Sequence, residues 1–315
     1  LLDAIDASLR RNTESPNIPF GGKTVLLVGD LHQLPPVIAT EEEGRLFQER
    51  YDSPYFFSAE CLGHTQLVTK NLSKPFRQVD DTFIDLLNDI RVGRNLAEAV
   101  QVLNDTTGYM RRESLLILTT VNAKARQYNE NQLRMLDQKE WCFEGVLEGD
   151  WSERKVPLPA PRSLRLKKDA QVMFVKNGDG WVNGTVGRVV DLDDKAIEVE
   201  LLSEPRKGST VAVQRESWDR YEYQWNEERR TIDIRTIGTY RQFPFILAWA
   251  VTIHKAQGLT LDDVNIDLGR GTFAPGQAYV ALSRCRTMNG ISFSRPLEIE
   301  DVLCDQRIVD FYSRV

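Results

Sequence analysis

The sequence predicts an α/β protein of about two domains, with a small β-barrel inserted in the second. Three observations carry this reading. Leu115 to Leu118 is a continuous apolar run, as a buried parallel strand requires. Ile246 to Ile253 is a second such run, and it ends in polar side chains. Between them, from Leu164 to about Thr239, short apolar runs alternate with turn residues.

Composition bounds the answer. A chain of 315 residues with 41% apolar content can bury real cores. It has no run of about 18 apolar residues, so no membrane-spanning helix is expected. The net charge of −6 is not the footprint of a general nucleic-acid coat. A local groove can still be basic, and Arg162 to Lys168 and Arg284-Cys-Arg286 are candidate stretches, although each also reads as a solvated face. The four cysteines, Cys61, Cys142, Cys285 and Cys304, are scattered. That spacing argues against a zinc site or disulfide framework and suits a reducing, intracellular compartment. No signal peptide is visible, and the chain begins Leu-Leu-Asp without an initiator Met, so its start is expected not to be the native one.

The elements follow in order. Leu2, Ile5 and Leu9 have a helical period over residues 1–12, and a polar loop follows to Pro19. Phe20-Gly21-Gly22-Lys23-Thr24 imitates the tail of a phosphate loop. The first glycine of that motif should fall at Asn17, and a phosphate loop must open a helix. Val25 to Val28 reads as a strand instead. Asp30 ends that strand, and Gln33 and the pair Pro35-Pro36 follow, the prolines forcing an extended exit. Phe56-Phe57 and Leu67-Val68 read as core. Phe76-Arg77-Gln78 precedes a helix whose one face carries Phe83, Leu86, Leu87 and Ile90. Asp80 and Asp81 suit its N-terminus and Gly93 its end.

Thr119, Thr120 and Asn122 crowd the carboxyl end of the Leu115–Leu118 strand, before a helix through Ala125, Tyr128 and Leu133. Such side chains can donate to phosphate oxygens, or simply cap the helix. Trp141 to Pro161 reads as irregular. Strands are then predicted at 170–175, 184–190, 196–202, 209–214, 221–225 and 231–234, with hairpin signals at Asn177-Gly178 and Asp179-Gly180. Trp218, Tyr221, Tyr223 and Trp225 can stack bases, although strand aromatics more often pack. Arg241 to Pro244 leads back into the α/β sheet. Ile291 to Phe293 is a final strand, and Val302, Ile308 and Phe311 mark a last amphipathic helix.

The stretch Trp249 to Arg284 organises the rest. Thr252, His254 and Lys255 fall at the carboxyl edge of a sheet, where open α/β sheets bind ligands. Gly258 permits a close backbone approach. Thr260-Leu-Asp-Asp263 fits a helix start, and Val264, Ile266 and Leu268 alternate as a half-buried strand. Gly276 to Arg284 reads as a helix on which Gln277 and Arg284, about two turns apart, share a face. A Thr-His-Lys edge beside a helix offering Gln and Arg reads as a cationic, polyanion-facing cleft, or equally, on spacing alone, as a surface helix with a solvated Arg and a His that caps a strand.

These strings resemble the motifs of superfamily-one helicases, and most closely the PIF (petite integration frequency) family. The resemblance rests on Thr252-Ile-His-Lys255, Val280-Ala-Leu-Ser-Arg284, Gly29-Asp-Leu-His-Gln33, Phe76-Arg-Gln78 and the segment Leu2 to Val37 with Pro19-Phe-Gly-Gly22. It implies two RecA-like domains, the first incomplete at its N-terminus, with a Src-homology-type barrel inserted in the second. The boundaries implied are 1–110, 111–163 with 241–315, and 164–240 for the barrel. It implies an ATP-dependent 5′-to-3′ DNA helicase using ATP and Mg²⁺, of a family associated with repair, recombination and telomere maintenance. Arg77 and Arg284 would be arginine fingers and Gln33 the γ-phosphate sensor, with Asp30, Gly258 and Gln277 beside the nucleotide. Thr119, Asn122, Thr252, His254 and Lys255 would hold single-stranded DNA within a forked or structured substrate.

Nothing in the sequence matches the complete phosphate loop or the Asp-Glu pair that holds magnesium. The chain therefore looks like a helicase met just after its magnesium motif. The missing N-terminal part of the first domain would be its partner, no metal ligand would lie in this chain, and the chain alone would be inactive. The compartment would be the cytoplasm of a bacterium, or a nucleus or mitochondrion. Two other readings stay open: a stand-alone single-strand-binding module without catalysis, and a RecD-like exonuclease helicase subunit.

Overall fold

A computed structural model describes residues 1–13, 15–38, 40–107, 116–151, 157–229 and 231–314. They form two compact units, Leu1–Glu113 with Thr260–Val315, and Ser114–Leu259.

The first unit begins with the helix Leu2–Asn12. Asp6 on that helix is buried and accepts a hydrogen bond from the backbone N–H of Phe20, which fastens the 3₁₀ turn Pro19–Gly22 beneath it. Gly21 sits there at φ +59, where a Cβ would meet the Leu9 carbonyl at 2.7 Å, so the turn requires glycine. The helix Asp81–Val92 follows its local signals closely. The Asp80 carboxylate accepts from the N–H groups of Thr82 and Phe83, and Phe83, Leu87 and Ile90 are buried. It packs with the helix Leu96–Thr107. The strands Val264–Asp267 and Ile291–Phe293 pair in parallel, and the last helix is Gln306–Tyr312.

Four sequence expectations fail in this unit. Val25 to Val28 forms no strand, with Leu26 84% and Val28 86% exposed. An apolar run becomes a strand only where a neighbour completes its ladder, and no described segment pairs with it. Leu67 and Val68 are exposed rather than core. Thr260 to Asp263 starts no helix, because Leu261 forms a backbone bridge to Cys285, and its N–H donates to the Arg284 carbonyl. Val264 to Asp267 is buried on both faces, with Asn265 bonded to Ser292, so the strand is not half-buried.

In the second unit Ile117–Thr119 pairs in parallel with Ala250–Thr252; Leu115 lies outside the described residues. The helix Asn122–Met135 packs on this pair. Its buried Asn129 latches it in place: Nδ2 donates to the Leu247 and Ala250 carbonyls at 3.0 and 2.8 Å, and Oδ1 accepts from the Ala250 N–H. The expected single strand from Ile246 to Ile253 is broken. Phe245–Leu247 pairs antiparallel with Gln171–Phe174, and Ala250–Thr252 then joins a different sheet. An apolar run does not encode which neighbour it meets. His254 and Lys255 consequently sit in the helical turn Ile253–Ala256, just past the strand end.

Five antiparallel strands form an open sheet in the order Phe245–Leu247, Gln171–Phe174, Val186–Leu192, Ile197–Leu201, Thr210–Val213. Its inward side chains, Val172, Phe174, Val189, Val199 and Phe245 among them, build one core with Phe143 and Leu166. The expected closed barrel is not found among the described residues. After Thr210–Val213 the chain runs instead into a long hairpin, Glu216–Asn226 with Thr231–Gln242, which pairs with Val146–Gly149 in another sheet. Trp141 to Pro161 is likewise not irregular throughout, since Trp141–Glu144 and Val146–Gly149 are strands; residues 152–156 lie outside the description.

Candidate functional site

A crevice of about 540 Å³ in the first unit is lined by Asp30, Gln33, Arg77, Gln78, Thr260, Tyr279, Ser283, Arg284 and Arg286, among others. Two local devices assemble it. Gly276 caps the helix Gln277–Leu282 at φ +78, and a Cβ there would meet the carbonyl oxygens of His32 and Gln33 at 2.5 Å. Only glycine lets the segment carrying Gln33 lie this close to the helix leading to Arg284. The second device is Phe76-Arg77-Gln78. The Gln78 amide is buried and donates to the carbonyls of Ser283 and Cys285, both at 3.0 Å. Arg77 donates from Nη1 to the Ser283 carbonyl and from Nε to the Thr260 hydroxyl, both at 3.0 Å.

Arg284 is only 2% exposed. Its Nε donates to the Val280 carbonyl at 3.0 Å and its Nη2 to Ser283 Oγ at 2.8 Å. Burial, then the like charge of Arg77, lowers its pKa to about 10. Desolvation lowers that of Arg77 as well. Two guanidinium groups thus crowd one crevice. The carboxylate lining it is already engaged: Asp30 accepts from the His32 N–H, from Gln33 Nε2 at 3.1 Å and from the Tyr279 hydroxyl at 3.4 Å. A polyanion entering there meets the guanidinium groups of Arg77 and Arg284 against the single carboxylate of Asp30 in a partly desolvated setting, where Coulomb attraction is strong.

The crevice therefore brings together Asp30, Gln33, Arg77 and Arg284. Gln277 is not in its lining: it is fully buried, and its Oε1 accepts from the N–H groups of Phe273 and Ala274. Gly258 belongs to the second unit. Sequence reasoning missed Thr260, Tyr279 and Ser283. Ser283 and Tyr279 lie inside the string ending at Arg284, but nothing local marks them as lining residues.

The second unit carries a groove of about 690 Å³. One stripe of the helix Asn122–Met135 forms its wall, through Asn122, Arg126, Glu130 and Leu133, and Pro157, Pro159, Pro161, Leu247, Thr252 and Lys255 are among the residues lining the rest. Lys255 has no ion-pair partner among the described residues, and desolvation lowers its pKa. Asn122, Thr252 and Lys255 thus share one groove. Thr119 does not reach it, being fully buried with its hydroxyl turned to the Val121 and Val251 carbonyls. His254 is exposed outside its lining.

Fold and crevice together define a mixed α/β protein with two arginines lining one crevice, and comparison with known proteins supplies the family. A family model described as PIF1-like helicase matches residues 1–101. The rat "ATP-dependent DNA helicase PIF1" is 34% identical over 328 residues, covering 99% of this chain and 46% of the relative. The Bdellovibrio bacteriovorus "ATP-dependent DNA helicase Pif1" is 32% identical over 318 residues, covering 98% and 66%. The structure of Bacteroides Pif1 bound to ssDNA matches with a TM-score of 0.76 at 33% identity, covering 99% of this chain and 71% of that one. Bacteroides sp Pif1 in complex with ADP-AlF4 matches with a TM-score of 0.79 at 32% identity, with the same coverage. This chain belongs to the PIF1-like helicase family, and its fold is that of the family's RecA-like domains. It spans about half the length of the rat relative. No described helix is long and apolar enough to cross a membrane.

Proposed function

We propose that this chain is the part of an ATP-dependent 5′-to-3′ DNA helicase that supplies two arginine fingers, a γ-phosphate sensor and contacts to single-stranded DNA. The observation that carries the reading is the shared crevice of Arg77, Arg284 and Gln33. Those residues suit the phosphate end of ATP: two guanidinium groups and one amide in a space of ordinary ligand size. Bound ATP supplies the phosphoryl group whose transfer to water releases free energy. Arg77 and Arg284 stabilise the charge building on that group, Gln33 senses its presence, and Asp30 holds the Gln33 amide in place.

Mg²⁺ fits these residues less well. Asp30 is already committed to three donors, and among the described residues no three His, Cys, Asp or Glu side chains gather. The metal is therefore assigned to groups outside this set. Gly258 and Gln277 remain proposed as nucleotide-side residues in a supporting, backbone-shaping capacity. The division into 1–110, 111–163 with 241–315, and 164–240 belongs to the same proposal.

Single-stranded DNA is proposed to lie in the groove of Asn122, Thr252 and Lys255, with Thr119 beneath it and His254 at its margin. Forked or structured DNA would be the substrate unwound.

Calorimetric titration of tripolyphosphate into the chain tests the crevice. Binding is expected, and Arg77→Ala with Arg284→Ala should abolish it. Equal affinity in the double variant would remove the crevice from the nucleotide's path.

A further inference from the structure

The hairpin Glu216–Asn226 with Thr231–Gln242 carries a feature that the crevice and groove do not use. Its cross-strand pairs Tyr221–Thr236, Tyr223–Ile234 and Trp225–Ile232 fall on one face of the ribbon. All of that face is open: Tyr221 is 48%, Tyr223 66%, Trp225 58%, Ile232 59% and Ile234 62% exposed. Packing does not account for them. At the root of the ribbon the inward side chains are Trp218 and Tyr240, stacked at 5.8 Å, with Tyr240 fully buried. Side chains alternate along a strand, so Trp218 and the rings at 221, 223 and 225 point to opposite sides. At the level of the rings the opposite face, with Glu222, Gln224, Asp233 and Arg235, is exposed as well, so the ribbon there stands clear of the body that the root packs against.

The root also ties the ribbon to the groove. The Tyr240 hydroxyl donates to the carbonyls of Ala160 and Pro161, and Gln242 Nε2 donates to that of Pro161. Pro161 is itself a wall of the groove. From Trp218, opposite Tyr240, to Tyr221 is about 10 Å of strand, and the three rings span about 13 Å more.

Resting on the DNA reading of that groove, we propose that the ribbon is a stacking platform for the bases of single-stranded DNA leaving it. Tyr221, Tyr223 and Trp225 recur every second residue, about 6.7 Å apart. A row of rings offers base faces a sequence-tolerant surface. Charge on the ribbon decides the mode of contact. On the face bearing the rings Asp219 accepts from Tyr221 and Thr239, and Arg241 lies at the root opposite Ser217; Arg220, on the other face, is held by Asp150. The face bearing the rings presents no row of cations to phosphates. The ribbon therefore contributes stacking, and the groove cations contribute the salt-sensitive part of binding.

Fluorescence anisotropy of labelled oligothymidine over a series of salt concentrations tests this in the chain as it stands. Tyr223→Leu with Trp225→Leu keeps the apolar character and removes the rings. The double variant is expected to bind roughly 5- to 100-fold more weakly with the same salt slope. An abasic oligonucleotide of equal length should bind the wild type about as weakly as oligothymidine binds the variant. Unchanged affinity in the variant, with the wild type binding normally, overturns the platform and leaves the groove standing. Failure of the wild type to bind DNA overturns both. Self-association in sedimentation that the double substitution abolishes, at unchanged DNA affinity, overturns the platform in favour of a protein interface.

Discussion

Arg77 donates a 3.0 Å hydrogen bond to the carbonyl of Ser283, the residue next to Arg284. Residues more than 200 positions apart in the chain are thus held so that both arginines line one crevice. The like charge this gathers is unfavourable, and the Asp30 carboxylate offsets only part of it. Arg284 has its pKa depressed to about 10, so its protonated form is disfavoured in the folded state. That penalty is fully present below about pH 10 and is relieved as pH rises toward the ordinary arginine range. A bound polyanion offsets it at neutral pH.

Pyrophosphate should therefore stabilise the chain. At about 100 times its Kd the gain is about 2.7 kcal/mol, a shift of several degrees in Tm. Differential scanning fluorimetry with pyrophosphate against an equal ionic strength of chloride reads this directly. No specific shift, or the same shift in Arg77→Ala, would mean that the crevice does not hold phosphates.

Gly276→Ala should cost about 2 kcal/mol or more. It places a Cβ against the His32 and Gln33 carbonyls at a positive φ. Urea unfolding measures the loss. A neutral substitution would show that the segment carrying Gln33 is not held by this close approach.

Gln78→Ala removes a buried amide that serves two carbonyls. The Ser283 carbonyl keeps its bond from Arg77, but the Cys285 carbonyl loses its donor, which should destabilise the first unit by roughly 1–3 kcal/mol, again by urea unfolding. The neighbouring Arg77 would lose its fixed pose with it, so pyrophosphate stabilisation should weaken in the same variant.

Much of this was legible in the sequence, and the failures share a cause. The helix Asp81–Val92 was readable because its cap, period and ending are all local. The two arginines were readable only through motif strings, since no spacing rule brings residues 77 and 284 together. Val25 to Val28 and Ile246 to Ile253 were misjudged because an apolar run specifies burial, not the strand that will pair with it. Tyr279 and Thr260 were missed because their roles come from Asp30 and Arg77, distant partners that the sequence alone does not join to them.

Lys255 offers a test by pH and salt together. Desolvation lowers its pKa, so it loses charge at lower pH than an ordinary lysine of about 10.4. Affinity for oligothymidine should fall as pH rises toward that range. Lys255→Ala should reduce the salt slope by about one phosphate contact and flatten this alkaline decline. An unchanged slope would place the DNA backbone elsewhere.

The most direct measurement is DNA-stimulated ATP hydrolysis in a protein that joins this chain to the family's phosphate-loop and magnesium-binding segments. Arg284→Ala is expected to lower turnover by roughly 10³- to 10⁵-fold while leaving single-stranded DNA affinity nearly intact. Turnover like that of the wild type would contradict the convergence of the two arginines on the transferred phosphate.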